Sequence, residues 1–343
     1  MSLTPPWRRG SGPTARPGLH GEGRMAALLV SPTLLVLGLV IAYPVLSAVH
    51  SSLYSVPGID PKTGFIENGD PFVGLDNFTR IFTGGGARFW NAFWNTSFLT
   101  VTSVILETAI GLAMALIMHQ GLRGRAWIRA SILVPWAIPT AISALLWRWI
   151  FDSEGIANTL LNTKVLWTTE GFQAQVAVIV AEVWKTAPFV GILVLAGLQI
   201  ISQEVYEAAR VDGAGPIRRL WSITLPLVKP ALLVAVLFRL LDALRMFDLP
   251  YILIGAGKQS VETLSMLAQD EASNVRFGPA SAYSVVLFLY VFLIAFAFIK
   301  LLGADLLGAR DATGGRTGGK KGKGRIPRQV TGDDRKLQKE ATA

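Results

Sequence analysis

The chain has 343 residues, of which 51% are hydrophobic and only 16% are charged. Soluble domains usually carry about 25% charged residues, so this composition excludes an ordinary soluble protein. The absence of cysteine excludes a disulfide framework, a thiolate metal site and a cysteine nucleophile. The three histidines stand in unrelated segments, so the sequence predicts no metal bound by this chain.

Six apolar segments follow one another along the chain. Each approaches or exceeds the roughly 20 residues that a helix needs to cross a bilayer. None shows the period-2 alternation of a barrel strand, and only helices or closed barrels satisfy backbone groups in lipid. We therefore predict an all-α polytopic membrane protein with six transmembrane helices. The predicted spans cover residues 25–49, 91–118, 130–151, 174–201, 230–254 and 279–302.

The basic residues predict the orientation in the cell membrane. Lys and Arg concentrate in residues 1–24, in the loops 120–129 and 202–229, and in residues 304–343. Cytoplasmic loops carry such an excess, so both termini are predicted to be cytoplasmic. The arm 1–24 and the tail 304–343 cannot build a core and are predicted to be disordered, which leaves residues 25–303 as the membrane domain.

The loop 202–229 predicts a helix–turn–helix at the membrane surface. Ser202 suits the N-cap of a short helix running to about Asp212, and Gly213 suits the left-handed position that ends a helix. A second helix begins at Pro216. The Leu-Pro and Lys-Pro pairs at the end of the loop are predicted to break this helix before the fifth span.

The first of these short helices has a face that suits contact with another protein. The small Ala208-Ala209 pair would let a partner approach the backbone closely, and Glu207 could pair with a partner's cation. From the residues alone, the segment could equally be an amphipathic connector that rests on the lipid headgroups.

The fifth span carries an alternating row of charges. Ionisable residues inside a span are costly and indicate function by default. Neighbours three residues apart can pair along a helix, but such a row drifts around the helix, so some members must face a cavity or a partner. The row could instead be an internal salt ladder or a latch to a partner subunit. Its members are Arg239, Asp242, Arg245 and Asp248.

Two other spans also carry charged residues. Glu182 and Lys185 in the fourth span are three residues apart and could pair with each other. Glu107 in the second span is predicted to be a buried, hydrogen-bonded carboxylate rather than a proton relay.

Several motifs together resemble the permease subunits of carbohydrate-type bacterial ABC importers. Segments 73–78, 124–158 and 182–189 are similar to parts of that family's core, and the resemblance covers residues 25–303. The loop 202–229 carries every position of the family's EAA motif, namely Glu207-Ala208-Ala209, Gly213, Ile223 and Leu225-Pro226.

This resemblance implies a set of partners. They are a second homologous permease, two ATP-hydrolysing subunits that carry ATP and Mg, and an extracytoplasmic substrate-binding lipoprotein. The chain itself would be a transport subunit rather than an enzyme, surrounded by membrane lipid and without a nucleic-acid partner. The cargo would be a sugar, a di- or oligosaccharide such as trehalose or maltose, moved by alternating access.

The resemblance also implies roles for particular residues. The EAA helix would be the coupling helix, seated in a cleft of the ATPase, and the sugar would pass near the membrane midplane. The implied ATPase-coupling residues are Glu207, Ala208, Ala209, Asp212, Gly213, Leu225 and Pro226. The implied substrate-path residues are Asp242, Arg245 and Asp248. Glu182 and Lys185, as charges inside a span, and Trp184, as a ring that could stack on a sugar, are further predicted substrate-path residues.

Two other classes of protein stay open from the residues alone. One is an ion-coupled transporter that uses the charges of the fifth span as a relay. The other is a membrane-embedded lipid-modifying enzyme with Glu107 or Asp242 in acid–base roles. The segment 255–260 lacks the spacing of a phosphate-binding P-loop, so ATP hydrolysis by this chain is not expected.

Overall fold

The computed structural model describes residues 19–55, 65, 72–83, 86–121 and 123–314, with side chains between residues 25 and 301. Regular structure in these residues is helical, beside one isolated bridge between Tyr54 and Phe72, and the all-α prediction is confirmed. The chain divides into the units Met1–Phe298 and Ile299–Ala343, and all contacts below lie in the first. Residues 1–18 of the predicted arm and 315–343 of the predicted tail lie outside the described residues.

The described helices are numbered in chain order. They are α1 (Leu19–Leu37), α2 (Tyr43–Ser52), α3 (Asp76–Thr83), α4 (Gly86–His119), α5 (Arg125–Ala137), α6 (Thr140–Ile150), α7 (Ile156–Leu161), α8 (Phe172–Gln199), α9 (Gln203–Val211), α10 (Pro216–Arg219), α11 (Leu225–Ala243), α12 (Asp248–Leu253), α13 (Leu264–Ser273) and α14 (Phe277–Gly314). Two π-helical turns, Gly38–Ala42 and Leu220–Thr224, join α1 to α2 and α10 to α11.

Five helical stretches of the described chain are long and apolar enough to cross a membrane. α5 and α6 meet that test only together, and they are bent by 93°. The number of spans is therefore the predicted six only where the bent pair crosses as one span. The five stretches are Met25–Ser52, Gly86–His119, Phe172–Gln199, Pro216–Ala243 and Phe277–Leu301.

The third predicted span is a bent pair of helices rather than one helix. A proline has no N–H to donate, and its ring disfavours helical backbone at the preceding residue. Ile138, which precedes Pro139, accordingly has φ −74° and ψ 132°, and Pro139 itself has φ −53° and ψ 141°. The bend leaves the Ile138 carbonyl outside the helical hydrogen-bond ladder, where another group can use it.

The second helix of the 202–229 loop does not break where the sequence predicts. It runs from Pro216 to Ala243 through both Leu225-Pro226 and Lys229-Pro230. The π turn Leu220–Thr224 lies directly before the first of these prolines. A π turn widens the helix locally, at the point where a proline ring would crowd the carbonyl four residues back. The loop therefore merges into the fifth span.

α8 is the most buried of the five membrane-length stretches. Of its most apolar 18-residue segment, 72% is buried inside the protein. It packs against α4 and α11 through positions that have no side chain. A Cβ on Gly111 of α4 would lie 2.7 Å from Val190 Cβ, and a Cβ on Gly197 of α8 would lie 2.5 Å from Ala231 Cβ. Such small residues let membrane helices approach closely.

In the first span, Met25–Ser52, no part of the most apolar 18-residue segment is buried against the described residues of this chain. It therefore requires lipid or another subunit around it.

Candidate functional site

A cluster of charged side chains lies between α4, α8 and α11. The guanidinium of Arg239 donates from Nε to Glu107 Oε2 at 2.6 Å and from Nη2 to Glu182 Oε1 at 2.8 Å. It also donates from Nη1 to Asp242, one turn further along its own helix. The Arg239 and Glu107 side chains are 3% and 0% exposed, whereas Asp242 is 67% exposed. Arg239 thus links buried carboxylates to an accessible one.

Glu107 is held by a hydroxyl as well as by the guanidinium. Thr186 Oγ1 lies 2.7 Å from Glu107 Oε1 and 2.6 Å from the Glu182 carbonyl oxygen. Arg239 Nη2 lies 3.0 Å from the same Glu107 oxygen. The prediction of a buried, hydrogen-bonded carboxylate at this position is confirmed.

Lys185 is bound to the bend of the third span. Its Nζ donates to the Ile138 carbonyl at 2.8 Å, which is the oxygen that the bend releases from the helix. Glu182, which the sequence offered as a partner for Lys185, instead receives the Arg239 guanidinium. The spacing of three residues between Glu182 and Lys185 therefore predicted the wrong partner for each of them.

The row of four charges does not lie on one helix. α11 ends at Ala243, so the predicted fifth span extends too far, and the predicted pairing holds only for Arg239 with Asp242. Arg245 lies in the turn after the helix and its Nε donates to the Leu241 carbonyl at 3.2 Å. Asp248 stands in the first turn of α12, where the helix dipole favours a negative charge.

Two neighbouring cavities open beside this cluster. The larger has a volume of about 520 Å³ and the smaller about 140 Å³, and ligand sites typically fall between about 300 and 1,000 Å³. Five of the six predicted substrate-path residues line one or both of them, namely Asp242, Arg245, Asp248, Glu182 and Lys185.

Trp184, the sixth predicted residue, lies elsewhere. It lines a separate apolar cavity of about 470 Å³ and meets the Trp147 ring edge-on, with the ring centroids 5.7 Å apart. The larger polar cavity is bordered instead by Trp136 and Phe189, whose centroids are 5.9 Å apart, and by Phe238. Nothing in the spacing of the sequence assigns these aromatic side chains to one cavity, since they come from three helices.

The first helix of the loop 202–229 ends as the sequence predicts. Gly213 has φ 75°. The Ala214 N–H donates to the Ala209 carbonyl at 2.9 Å and the Gly213 N–H donates to the Arg210 carbonyl at 3.1 Å, the two bonds of a Schellman motif. Ser202 is the N-cap residue by position, but its side chain makes no capping hydrogen bond.

The exposed face of α9 differs from the prediction in one residue. Glu207, Ala208 and Asp212 are exposed, whereas Ala209 is only 6% exposed and packs against its own chain. Ala208 alone therefore offers the small-residue contact expected of the pair. Leu225 and Pro226 lie at the start of α11, where Pro226 is exposed.

Three features define this protein as the membrane subunit of an importer. They are its membrane-length helices, the charged side chains between those helices and a short surface helix that carries the EAA motif. Residues 107–307 match the family described as binding-protein-dependent transport system inner membrane component. The chain belongs to this family, the permeases of ABC importers, and is a transport subunit rather than an enzyme.

Relatives within the family match over most of their length. The trehalose/maltose transport system permease protein MalF of Thermococcus litoralis is 39% identical, over 82% of this chain and 95% of that protein. The trehalose transport system permease protein SugA of Mycobacterium tuberculosis is 37% identical, over 85% and 92%. The sulfoquinovosyl glycerol transport system permease protein SmoG of Agrobacterium fabrum is 35% identical, over 82% and 91%.

Solved structures share the fold. A bacterial ABC transporter involved in the import of the acidic polysaccharide alginate superposes with a TM-score of 0.70 at 21% identity, over 83% of this chain and 97% of that chain. A bacterial alginate ABC transporter in complex with an alginate pentasaccharide-bound periplasmic protein gives 0.69 at 20% identity, over 82% and 94%.

Proposed function

We propose that this permease imports a carbohydrate, a di- or oligosaccharide such as trehalose or maltose. The observation that carries the proposal is the cavity of about 520 Å³ beside the charged cluster. A sugar presents hydroxyls that charged side chains and Thr hydroxyls can bind, and C–H faces that aromatic rings can cover. The cavity offers Asp242 and Arg245 for the first kind of contact and Trp136 and Phe189 for the second.

We further propose that the chain works with four kinds of partner. They are a second permease that completes the path, two ATPase subunits that carry ATP and Mg, an extracytoplasmic substrate-binding lipoprotein and the surrounding membrane lipid. Lys and Arg are in excess beside α9 and at both ends of the chain. This excess favours an orientation in which α9, the ATPase subunits and both termini are on the cytoplasmic side of the membrane.

The coupling helix in this proposal is α9. Its exposed Glu207 and Ala208 would lie in a cleft of the ATPase, and Asp212 and Gly213 would fix the turn that follows. The next helix runs without a break into the fifth span. A push on α9 would therefore reach Leu225, Pro226 and the charges around Arg239 through one continuous helix, and would turn the cavity from one side of the membrane to the other.

A charge reversal tests the coupling role. Glu207→Lys in the reconstituted importer should lower ATP-driven sugar uptake about tenfold or more, because a charge-assisted contact is worth roughly 1.5–3 kcal/mol. The melting temperature should not change, since Glu207 is exposed and the described structure gives it no ion pair. Glu204→Lys, an equally exposed reversal on the same helix, is the matched control and should keep uptake within about twofold.

The same reconstituted preparation distinguishes the ATP-driven importer from an ion-coupled transporter. Uptake by this chain without ATPase subunits, driven by an ion gradient, would favour the ion-coupled transporter. Normal uptake by the Glu207→Lys importer would remove the coupling role from α9.

A further inference from the structure

A third polar cavity lies at the membrane boundary, away from the proposed sugar path. Its volume is about 700 Å³. It is an open cavity bordered by the end of α4, the end of α8, α9 and the beginning of the helix that leads into the fifth span. The lining residues are Leu116, His119, Gln120, Gly121, Leu198, Gln203, Tyr206, Arg210, Pro216, Arg219, Leu220 and Thr224.

The charge that lines this cavity has a single sign. Arg210 and Arg219 contribute guanidinium groups, His119 adds an imidazole, and no carboxylate is among the lining residues. Arg219 Nε is buried and has no hydrogen-bond partner in the described part of the chain. Within the described residues, Arg210 Nε donates to the Tyr206 carbonyl, at the long distance of 3.4 Å. Because a buried unpaired guanidinium nitrogen is costly, the cavity fits an anion.

A helix N-terminus adds to this preference. Pro216, which lines the cavity, begins the 28-residue helix Pro216–Ala243. The positive end of the helix dipole favours a bound anion such as a phosphate at this end.

The rest of the lining indicates where the anion comes from. Leu116, Leu198 and Leu220 give the cavity apolar wall. Two of them belong to the last turns of α4 and α8, where membrane-length helices end. A basic rim over apolar wall at that depth matches the phosphate and upper acyl chain of a membrane lipid.

We propose that this cavity binds the headgroup phosphate of an anionic phospholipid, held by Arg219 with Arg210 and His119. The site lies directly behind the coupling helix, since Tyr206 and Arg210 of α9 form one of its walls. It therefore places a lipid against the element that is proposed to receive the work of the ATPase. The lipid site does not depend on the identity of the transported sugar.

Native mass spectrometry tests the site on the full-length chain, purified with the subunits that accompany it. Phosphatidylglycerol should bind about tenfold more tightly than phosphatidylcholine, whose choline cation the basic rim repels. Arg219→Gln should weaken phosphatidylglycerol binding about tenfold, through loss of a charged hydrogen bond, while Arg219→Lys should lose less. Arg218→Gln is the matched control, because Arg218 is exposed, adjacent and outside the cavity lining.

Four outcomes would overturn the proposal. The first is equal binding of the two lipids, and the second is that Arg218→Gln weakens phosphatidylglycerol binding as much as Arg219→Gln does. The third is displacement of phosphatidylglycerol by inorganic phosphate, which would make this a site for free phosphate. In the fourth, Arg219→Gln releases the ATPase subunits without changing lipid binding, which would assign the cavity to a carboxylate of a partner protein.

Discussion

Arg239 connects three helices through one planar group. Its N–H donors reach Glu107 on α4, Glu182 on α8 and Asp242 on its own helix. A guanidinium can serve several carboxylates because its donors form a fixed fork. A buried ion pair adds little net stability, but removal of one partner leaves an uncompensated charge in a poorly solvated place.

Removal of the guanidinium should therefore destabilise the fold strongly. Arg239→Gln should lower the free energy of unfolding by about 3–5 kcal/mol, because Glu107 keeps its burial and loses its cation. Thermal unfolding of the purified chain in detergent measures this change. Arg148→Gln is the control, since Arg148 is exposed and, among the described residues, donates to the Ile252 carbonyl at 3.4 Å. An equal stability of the two variants would contradict the central role of Arg239.

At the scale of elements, the packing of α4 on α8 depends on a missing side chain. A Cβ at Gly111 would lie 2.7 Å from Val190 Cβ and 2.8 Å from the Ala187 carbonyl oxygen. The second contact is with backbone, so the added methyl group could be accommodated only if the two helices moved apart.

Gly111→Ala should therefore destabilise the protein by about 1–3 kcal/mol, the usual cost of overpacking. Gly38→Ala provides the contrast, because nothing lies within 4 Å of a Cβ there. That change should be neutral or should stabilise the helix by roughly 0.5–1 kcal/mol. Melting temperatures of the two variants, measured side by side in one detergent, check both signs. A stable Gly111→Ala protein would mean that α4 and α8 pack less closely than 2.7 Å implies.

At the scale of the whole molecule, the proposed sugar path is assembled from distant segments. Asp242 belongs to α11, Lys185 to α8 and Trp136 to α5, and all three border the same cavity. A change at an accessible cavity residue should therefore affect the cargo more than it affects the fold.

Asp242→Asn should raise the KM for sugar uptake about tenfold, because a charged acceptor of sugar hydroxyls is replaced by a neutral amide. Basal ATP hydrolysis and assembly with the partner subunits should stay near their normal values. Asp76→Asn removes a carboxylate that pairs only on the surface, with Arg80 at 2.7 Å, and serves as the control. If uptake is unchanged in Asp242→Asn, Asp242 does not contact the cargo.

Much of this architecture is determined by residues that are close together in the sequence. Hydropathy over about 20 residues decides whether a segment can enter lipid, so the apolar stretches could be located before the structure. The end of α9 was predictable for a similar reason, because Gly213 satisfies a backbone requirement that involves only its own neighbours. The burial of Glu107 also followed from its position alone, since an isolated carboxylate in a span must find partners inside the protein.

By itself, the sequence determined the helical class, the apolar segments and the short helix α9 with its glycine cap. Only the tertiary structure decided which charges meet. Glu107 lies 132 residues before Arg239, and no spacing rule relates residues on different helices. The 93° bend at Pro139 and the end of α11 at Ala243 were also visible only in the structure. Prolines weaken a helix wherever they occur, yet the helix continues past Pro226, where a π turn precedes the ring, and the chain turns at Pro139.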